Sequence, residues 1–165
     1  MEAAALRARP AVAADVPALL DRMALFNALE GIAWSPASGE PALRALLADA
    51  SLGHVGLFEA GGAVAGYFVL TWGYDLEWAG RDAWLTELFL DEGLRGRGLG
   101  ARCLDAVEAA ARGAGARALH LMVRPENDPA LRLYRGAGFE APPRVCLSKP
   151  LPSRDAGTSE RATRA

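Results

Sequence analysis

The residues best equipped for chemistry surround a glycine-rich turn. Arg95-Gly96-Arg97-Gly98-Leu99-Gly100 stands between an apolar run that reads as a strand and a run that reads as a helix. A helix start leaves backbone N–H groups without partners, and its aligned peptide dipoles attract an anion. Glycines let that backbone come close to phosphate oxygens, while Arg95 and Arg97 add charge and donors. Just upstream, Glu87 is the odd residue of the strand AWLTELFL (83–90). Simple alternation puts it on one face with Leu85 and Phe89, so its carboxylate lines a cleft or meets a partner. It can take a proton from a reacting group, directly or through a water, or it can form a structural pair with an arginine. Tyr134, further on, is a proton-bearing phenol or a packed core aromatic.

These groups need a scaffold, and the chain predicts one. A short strand covers Leu6 to Arg9. Asp15 and Pro17 open a helix in which Val16, Leu19, Leu20, Met23 and Phe26 recur at helical spacing. The stretch Gly31–Gly39 breaks it, and a second helix follows with Pro41 near its start and Leu43, Leu46 and Leu47 on one side. The runs VGLFEA (55–60) and AVAGYFVLTW (63–72) flank Gly61-Gly62, a hairpin signal because primed turns need positive φ. Gly66 inside the second run indicates a bulge or a close backbone approach. A polar loop (73–82) leads to the strand 83–90. The glycine turn, a helix to about Arg112 and the strand ALHLMV (118–123) then form a βαβ unit, parallel and right-handed. Asp128-Pro129 starts a last helix ending at Gly136 and Gly138, and one or two strands between Phe139 and Leu151 close the fold. The fold class is α/β: a mixed, mostly antiparallel sheet with one central parallel βαβ unit and helices on both faces. One domain over residues 1–152 is expected, with the polar stretch 153–165 a disordered tail.

Two phosphate motifs compete for the turn. Gly96 to Ala101 fits a relaxed dinucleotide pattern, but there the first glycine follows its strand almost directly. Here Asp91 to Arg95 intervene, and no acidic ribose ligand ends the next strand. Arg95-x-x-Gly98-x-Gly100 instead resembles the acyl-CoA pyrophosphate loop of the GNAT acetyltransferase superfamily. Asn127-x-x-Ala130-x-x-Leu133-Tyr134, followed by Gly138-Phe139, agrees with it at the expected distance. The two segments resemble that family over residues 84–140, and the element order extends the likeness to about residues 5–150.

The resemblance implies an acetyl-CoA-dependent N-acetyltransferase that uses no metal. In it the backbone of Arg95, Gly96, Arg97, Gly98, Leu99 and Gly100 would hold the CoA pyrophosphate. Leu88-Phe89-Leu90 would splay from the next parallel strand and hydrogen-bond the pantetheine arm. Asn127, with Ala130, would contact that arm or order the helix start. Tyr134 would assist departure of the thiolate, whose reference pKa is about 8.5 against about 10 for a phenol. Glu87 occupies a frequent position of the general base. Phe26, Glu30, Trp34, Tyr74, Glu77 and Trp84 would line the acceptor pocket, where acidic groups beside aromatics suit a cationic amine. The acceptor is a small-molecule or peptide amine, and a homodimer is compatible with the resemblance. A catalytically silent acyl-CoA sensor would keep the turn without requiring Glu87 or Tyr134.

Composition narrows the partners. The chain has 165 residues, 52% hydrophobic and 23% charged, ordinary for a globular domain. A net charge of −2 shows no basic bias toward nucleic acid. No apolar run is long enough to span a membrane, and MEAAALRARP lacks a signal-peptide core, which points to the cytoplasm. Cys103 and Cys146 lack metal spacing and read as packed residues. His120, within a strand, reads as a satisfied core histidine.

Overall fold

The computed structural model describes residues 6–151. The expected tail and the first five residues lie outside them. Five strands pair in the order β1 (Arg7–Pro10), β2 (Gly53–Ala60), β3 (Ala63–Asp75), β4 (Gly80–Leu90) and β5 (Leu119–Leu121). The first four are antiparallel, and β4 pairs with β5 in parallel at the edge of the sheet. Helices α1 (Val16–Glu30) and α2 (Pro36–Ala48) cover one face, α3 (Leu99–Gly113) covers the other, and α4 (Asp128–Gly136) follows β5.

Strand periodicity divides the core accordingly. Phe58, Phe68, Leu70, Ala83 and Leu85 pack on the buried stripe Leu99, Cys103, Leu104, Val107 and Ala111 of α3. Leu57, Tyr67, Val69 and Phe89 turn the other way, onto Val16, Leu19 and Met23 of α1 and Leu43 of α2. Burying a side chain such as Leu19 or Leu104 fully contributes about 1.5–3 kcal/mol.

Several expectations shift for identifiable reasons. The β2–β3 turn is made by Gly61 and Gly62, at φ of 60° and 82°. Gly66 sits beside a register shift, and a Cβ there would overlap the Phe89 carbonyl. Asp15 is helical and does not cap α1; its carboxylate accepts from the Val12 N–H and from Arg9, closing a 3₁₀ turn ahead of the helix. Helix α2 begins at Pro36, because Ser35 accepts from the Ser38 N–H and Pro36 takes the first helical position. The break is therefore shorter than Gly31–Gly39, and Gly39 lies under the Trp34 indole. The expected loop 73–82 is mostly strand: Tyr74 pairs with Arg81 and Asp75 with Gly80, leaving a turn in which Asp75 accepts from the Glu77 N–H. Asn127, not Asp128, caps α4. The strands expected between Phe139 and Leu151 are not formed; Pro142, Pro143 and Pro150 lack ladder donors. Val145, Leu147 and Leu151 are consequently exposed, as is Cys146, whereas Cys103 is buried and its thiol is pushed up to about 11. Among the described residues no helix is long and apolar enough to cross a membrane.

Candidate active site

The central feature of the site is a one-residue irregularity in β4. Leu85 pairs with Leu70 and Glu87 pairs with Val69, so Thr86 is an extra residue whose hydroxyl donates to the Val69 carbonyl. The bulge overturns the simple alternation: Leu85 points into the α3 core, while Glu87 and Phe89 point toward α1 and α2. Pairing of β4 with β5 also stops there, at Leu85 opposite Leu121. From Thr86 to Leu90, β4 is paired only with β3 among the described residues. Leu88 and Leu90 pack on the α3 cluster and Phe89 on the α1 side, so these three are held firmly with one backbone edge open.

Glu87 lines a cavity of about 150 Å³ with Met23, Trp34, Gly39, Ala42, Leu43, Leu46 and Val69. The Tyr67 hydroxyl donates to Glu87 Oε2 at 2.5 Å. Burial pushes the Glu87 carboxyl above the usual carboxylate range, and the bond from Tyr67 opposes the rise. Burial, then the neighbouring Glu87, keep the Tyr67 phenol protonated. A larger concavity of about 320 Å³, between β1 and α3, shares none of these residues.

The glycine turn forms the open end. Gly96 and Gly98 adopt left-handed φ of 72° and 74°, with free space beside both. Gly98 caps α3 without any side-chain bond, so the first N–H groups of the helix are left to a ligand. Leu99 is buried, and a Cβ on Gly100 would press on Leu133 at 2.9 Å, so Gly100 lets α4 close against α3. Arg97 is exposed. Arg95 is anchored: Nε donates to the Leu90 carbonyl at 2.7 Å and the guanidinium lies 4.9 Å from the Phe89 ring. Arg22 of α1 binds Asp91 at 2.7 Å and fixes that helix to the end of β4. An unpaired helix start beside two left-handed glycines and two arginines fits the diphosphate of a coenzyme A derivative.

Tyr134 packs against the α3 cluster and edge-on to Phe139, at 5.7 Å between ring centroids. Burial, and secondarily Glu30, keep its phenol protonated. Glu30 reaches Arg124 at 3.4 Å, which joins the end of α1 to the β5–α4 loop. Asn127 Oδ1 accepts from the Ala130 N–H at 3.3 Å, so its side chain orders the helix start. Phe26 and Trp34 pack on the α1–α2 side of the core, Trp34 lining the cavity. Tyr74 and Glu77 lie at the far β3–β4 hairpin end: Tyr74 is exposed and Glu77 pairs with Arg144. Trp84 does not reach the cavity either; it stacks on His120 at 5.0 Å. Three groups near these residues escaped the sequence reading. Tyr67 was hidden in an apolar run until pairing set it diagonal to Glu87, Asp82 was assigned to a loop, and His120 was set aside as core.

The acetyltransferase (GNAT) family profile matches residues 21–139. An integron cassette protein from the mobile metagenome of Cole Harbour Salt Marsh shares 32% identity, with a TM-score of 0.78 over 88% of this chain and 91% of that one. The aminoglycoside N-acetyltransferase AAC(6')-Iy, solved with CoA, has a TM-score of 0.76 at 16% identity, over 89% of this chain and 95% of that one. An aminoglycoside acetyltransferase from an uncultured soil metagenomic sample, solved with sisomicin, has a TM-score of 0.70 at 16% identity, over 90% and 97%. The turn, the parted strands and the α4 segment thus lie on a shared fold, and the chain belongs to the acetyltransferase (GNAT) family.

Proposed function

We propose that this protein is an acetyl-CoA-dependent N-acetyltransferase acting on an amine by direct attack, with Glu87 as general base and Tyr134 as general acid. The observation that carries the reading is the position of Glu87. It is a half-buried carboxylate at the point where β5 leaves β4, facing a cavity and raised above its ordinary pKa. A base raised toward neutrality takes a proton from an ammonium more readily than an ordinary carboxylate does. The Tyr67 hydroxyl stabilises its charged form and fixes its orientation.

When bound, acetyl-CoA supplies the activated thioester carbonyl that an amine can attack. The N–H groups at the start of α3, with Arg95 and Arg97, suit its diphosphate, and the open edge of β4 suits its amide-bearing arm. Tyr134 Oη keeps its proton at neutral pH and is available as a donor to a developing thiolate. Cys103 is buried with a raised thiol pKa, so no covalent enzyme intermediate is assigned to it. The aminoglycoside acetyltransferases of the same fold support a small-molecule amine as acceptor.

Calorimetric titration with acetyl-CoA, with NADPH as control, tests the donor; thiol release over an amine panel tests the reaction. Saturable binding of acetyl-CoA alone, followed by amine-dependent thiol release, is expected. Tyr134→Phe should slow transfer about 10- to 100-fold, the weight of a hydrogen bond to a charged group, with little change in acetyl-CoA affinity. Binding of NADPH alone overturns the reading. Unchanged turnover of Tyr134→Phe with a verified acceptor removes the acid assignment.

A further inference from the structure

A second ionisable pair lies on the same sheet face, nearer the hairpin end, and acetyl transfer as described above makes no use of it. Asp82 on β4 is 5% exposed, and its Oδ2 stands 3.5 Å from His120 Nε2 on β5. That is an ion-pair distance, longer than a formed hydrogen bond. Its other oxygen, Oδ1, is buried with no hydrogen-bond partner among the described residues. Buried carboxylate oxygens are rarely left so, and an orphan of this kind calls for an explanation. The niche is built for it: residue 73 on the neighbouring strand is glycine, and a Cβ there would overlap Asp82 Oδ1.

His120 is held from both sides. The Trp84 ring lies 5.0 Å away and the Trp78 ring 6.0 Å away, and the imidazole remains about a quarter exposed. With Nε2 directed at Asp82, Nδ1 is the ring atom left to meet a ligand. Ala83 and Leu85 face α3, so Asp82 and Trp84 share the face that Glu87 rejoins after the bulge. Trp84 and His120 are register partners; with Thr86 bulged out, Trp84 and Glu87 lie opposite Thr71 and Val69, two rungs or about 7 Å apart along the sheet.

We propose that His120, positioned by Asp82 and walled by Trp84 and Trp78, binds a second amine of the acceptor, about 7 Å from the nitrogen that is acetylated. The inference rests on the acetyltransferase reading and narrows its substrate class to elongated diamines. With Nε2 toward Asp82, Nδ1 of His120 accepts the N–H of the distal ammonium. The buried Asp82 charge and the tryptophan faces favour a cation over a neutral end group. Asp82 acts through His120 and is a positioning residue. Glu77 is paired with Arg144, Glu30 with Arg124, and the Arg117 side chain lies against Gly80.

The test compares linear α,ω-diamines of increasing length with the matching monoamines, using acetyl-CoA as donor. The wild-type protein should prefer the diamine whose span matches the separation. His120→Gln should cut the diamine-to-monoamine ratio of kcat/KM about tenfold, mainly through the diamine KM, the effect of one charge-assisted hydrogen bond. Asp82→Asn, nearly isosteric, should lower the same ratio and shift the His120 ring signals in the NMR spectrum. Titrating the protein with the diamine alone should move those ring signals at saturable concentrations. That last arm needs no turnover, so it separates failure of the subsite from failure of the acetyltransferase reading. A ratio unchanged in His120→Gln, or His120 signals unmoved by the diamine, overturns the proposal.

Discussion

Both faces of the sheet are packed with apolar side chains, and they differ in what else they hold. The α3 face is an apolar layer: Leu70, Leu85, Leu104 and Val107 fill it, and the glycine turn opens at the helix start. The α1–α2 face interleaves Val16, Leu19 and Phe89 with Tyr67, Glu87, the buried Asn27 and a cavity. Asp82 and His120 extend that polar line toward the hairpin. A protein interior favours apolar contact, so a face that buries a carboxylate against its solvation gives up stability. On the proposed reading the sheet divides the work, with an almost wholly apolar layer behind β4 and the candidate chemical groups in front of it.

Substitutions on the two faces should therefore separate rate from stability. Glu87→Gln should lower kcat by about 10²- to 10⁴-fold, the usual weight of a general base. Its stability should move the other way. Glu87 is raised in the folded state, so the fold binds that proton more tightly than the unfolded chain does. Stability from this group then falls as pH rises from the ordinary carboxylate range through the raised value. The glutamine variant should melt at or above the wild-type temperature at neutral pH; a clear drop would recast Glu87 as a structural group. Leu104→Ala on the other face should do the reverse, costing about 2–5 kcal/mol in denaturant unfolding with a near-normal kcat below its transition. Loss of activity in a folded Leu104→Ala protein would break the division.

Two smaller effects probe its edges. Gly98→Val asks a β-branched residue to hold φ of 74° and misdirects the N–H groups of the helix start. Acetyl-CoA affinity should fall about a hundredfold, roughly 2.7 kcal/mol, while circular dichroism stays close to wild type. Normal affinity in that variant would refute the phosphate-loop assignment. Tyr67→Phe should have the mildest consequence. The lost hydrogen bond stabilised the charged carboxylate, so Glu87 rises further and the acid limb of the pH–rate profile moves to higher pH. A limb that stays in place would show that another group governs it.

Much of the fold was readable because local signals agreed with one another. Glycines in tandem specified a primed turn, an apolar recurrence from Val16 to Phe26 specified α1, and two separated motifs sat on the elements that could use them. What was misread depended on pairing between distant strands. Alternation alone put Glu87 beside Leu85, because nothing local marks Thr86 as an extra residue; the partner Val69–Leu70 decides that. The Tyr67–Glu87 and Asp82–His120 pairs span 20 and 38 positions and appear only once the register is known. The strands expected after Phe139 failed for the opposite reason. Their apolar alternation was local, while prolines and the lack of a pairing partner prevailed. The acceptor-pocket residues divided the same way: Phe26 and Trp34 stayed near the cavity, and a longer hairpin carried Tyr74 and Glu77 away.

Thr86 has an effect larger than its size. Without it, Leu85 and Glu87 would be consecutive and would keep their present partners Leu70 and Val69, so β3 would lose nothing. A bulge bends its strand and raises its twist, and here it does so one residue beyond the last rung shared with β5. A strand shortened by that residue would run straight, and its free edge could zip onto the residues after Leu121. The donors and acceptors now open from Thr86 to Leu90 would then be spent within the sheet. One surplus residue thus stands where the two parallel strands part, next to a stretch of β4 whose ladder is open on one side.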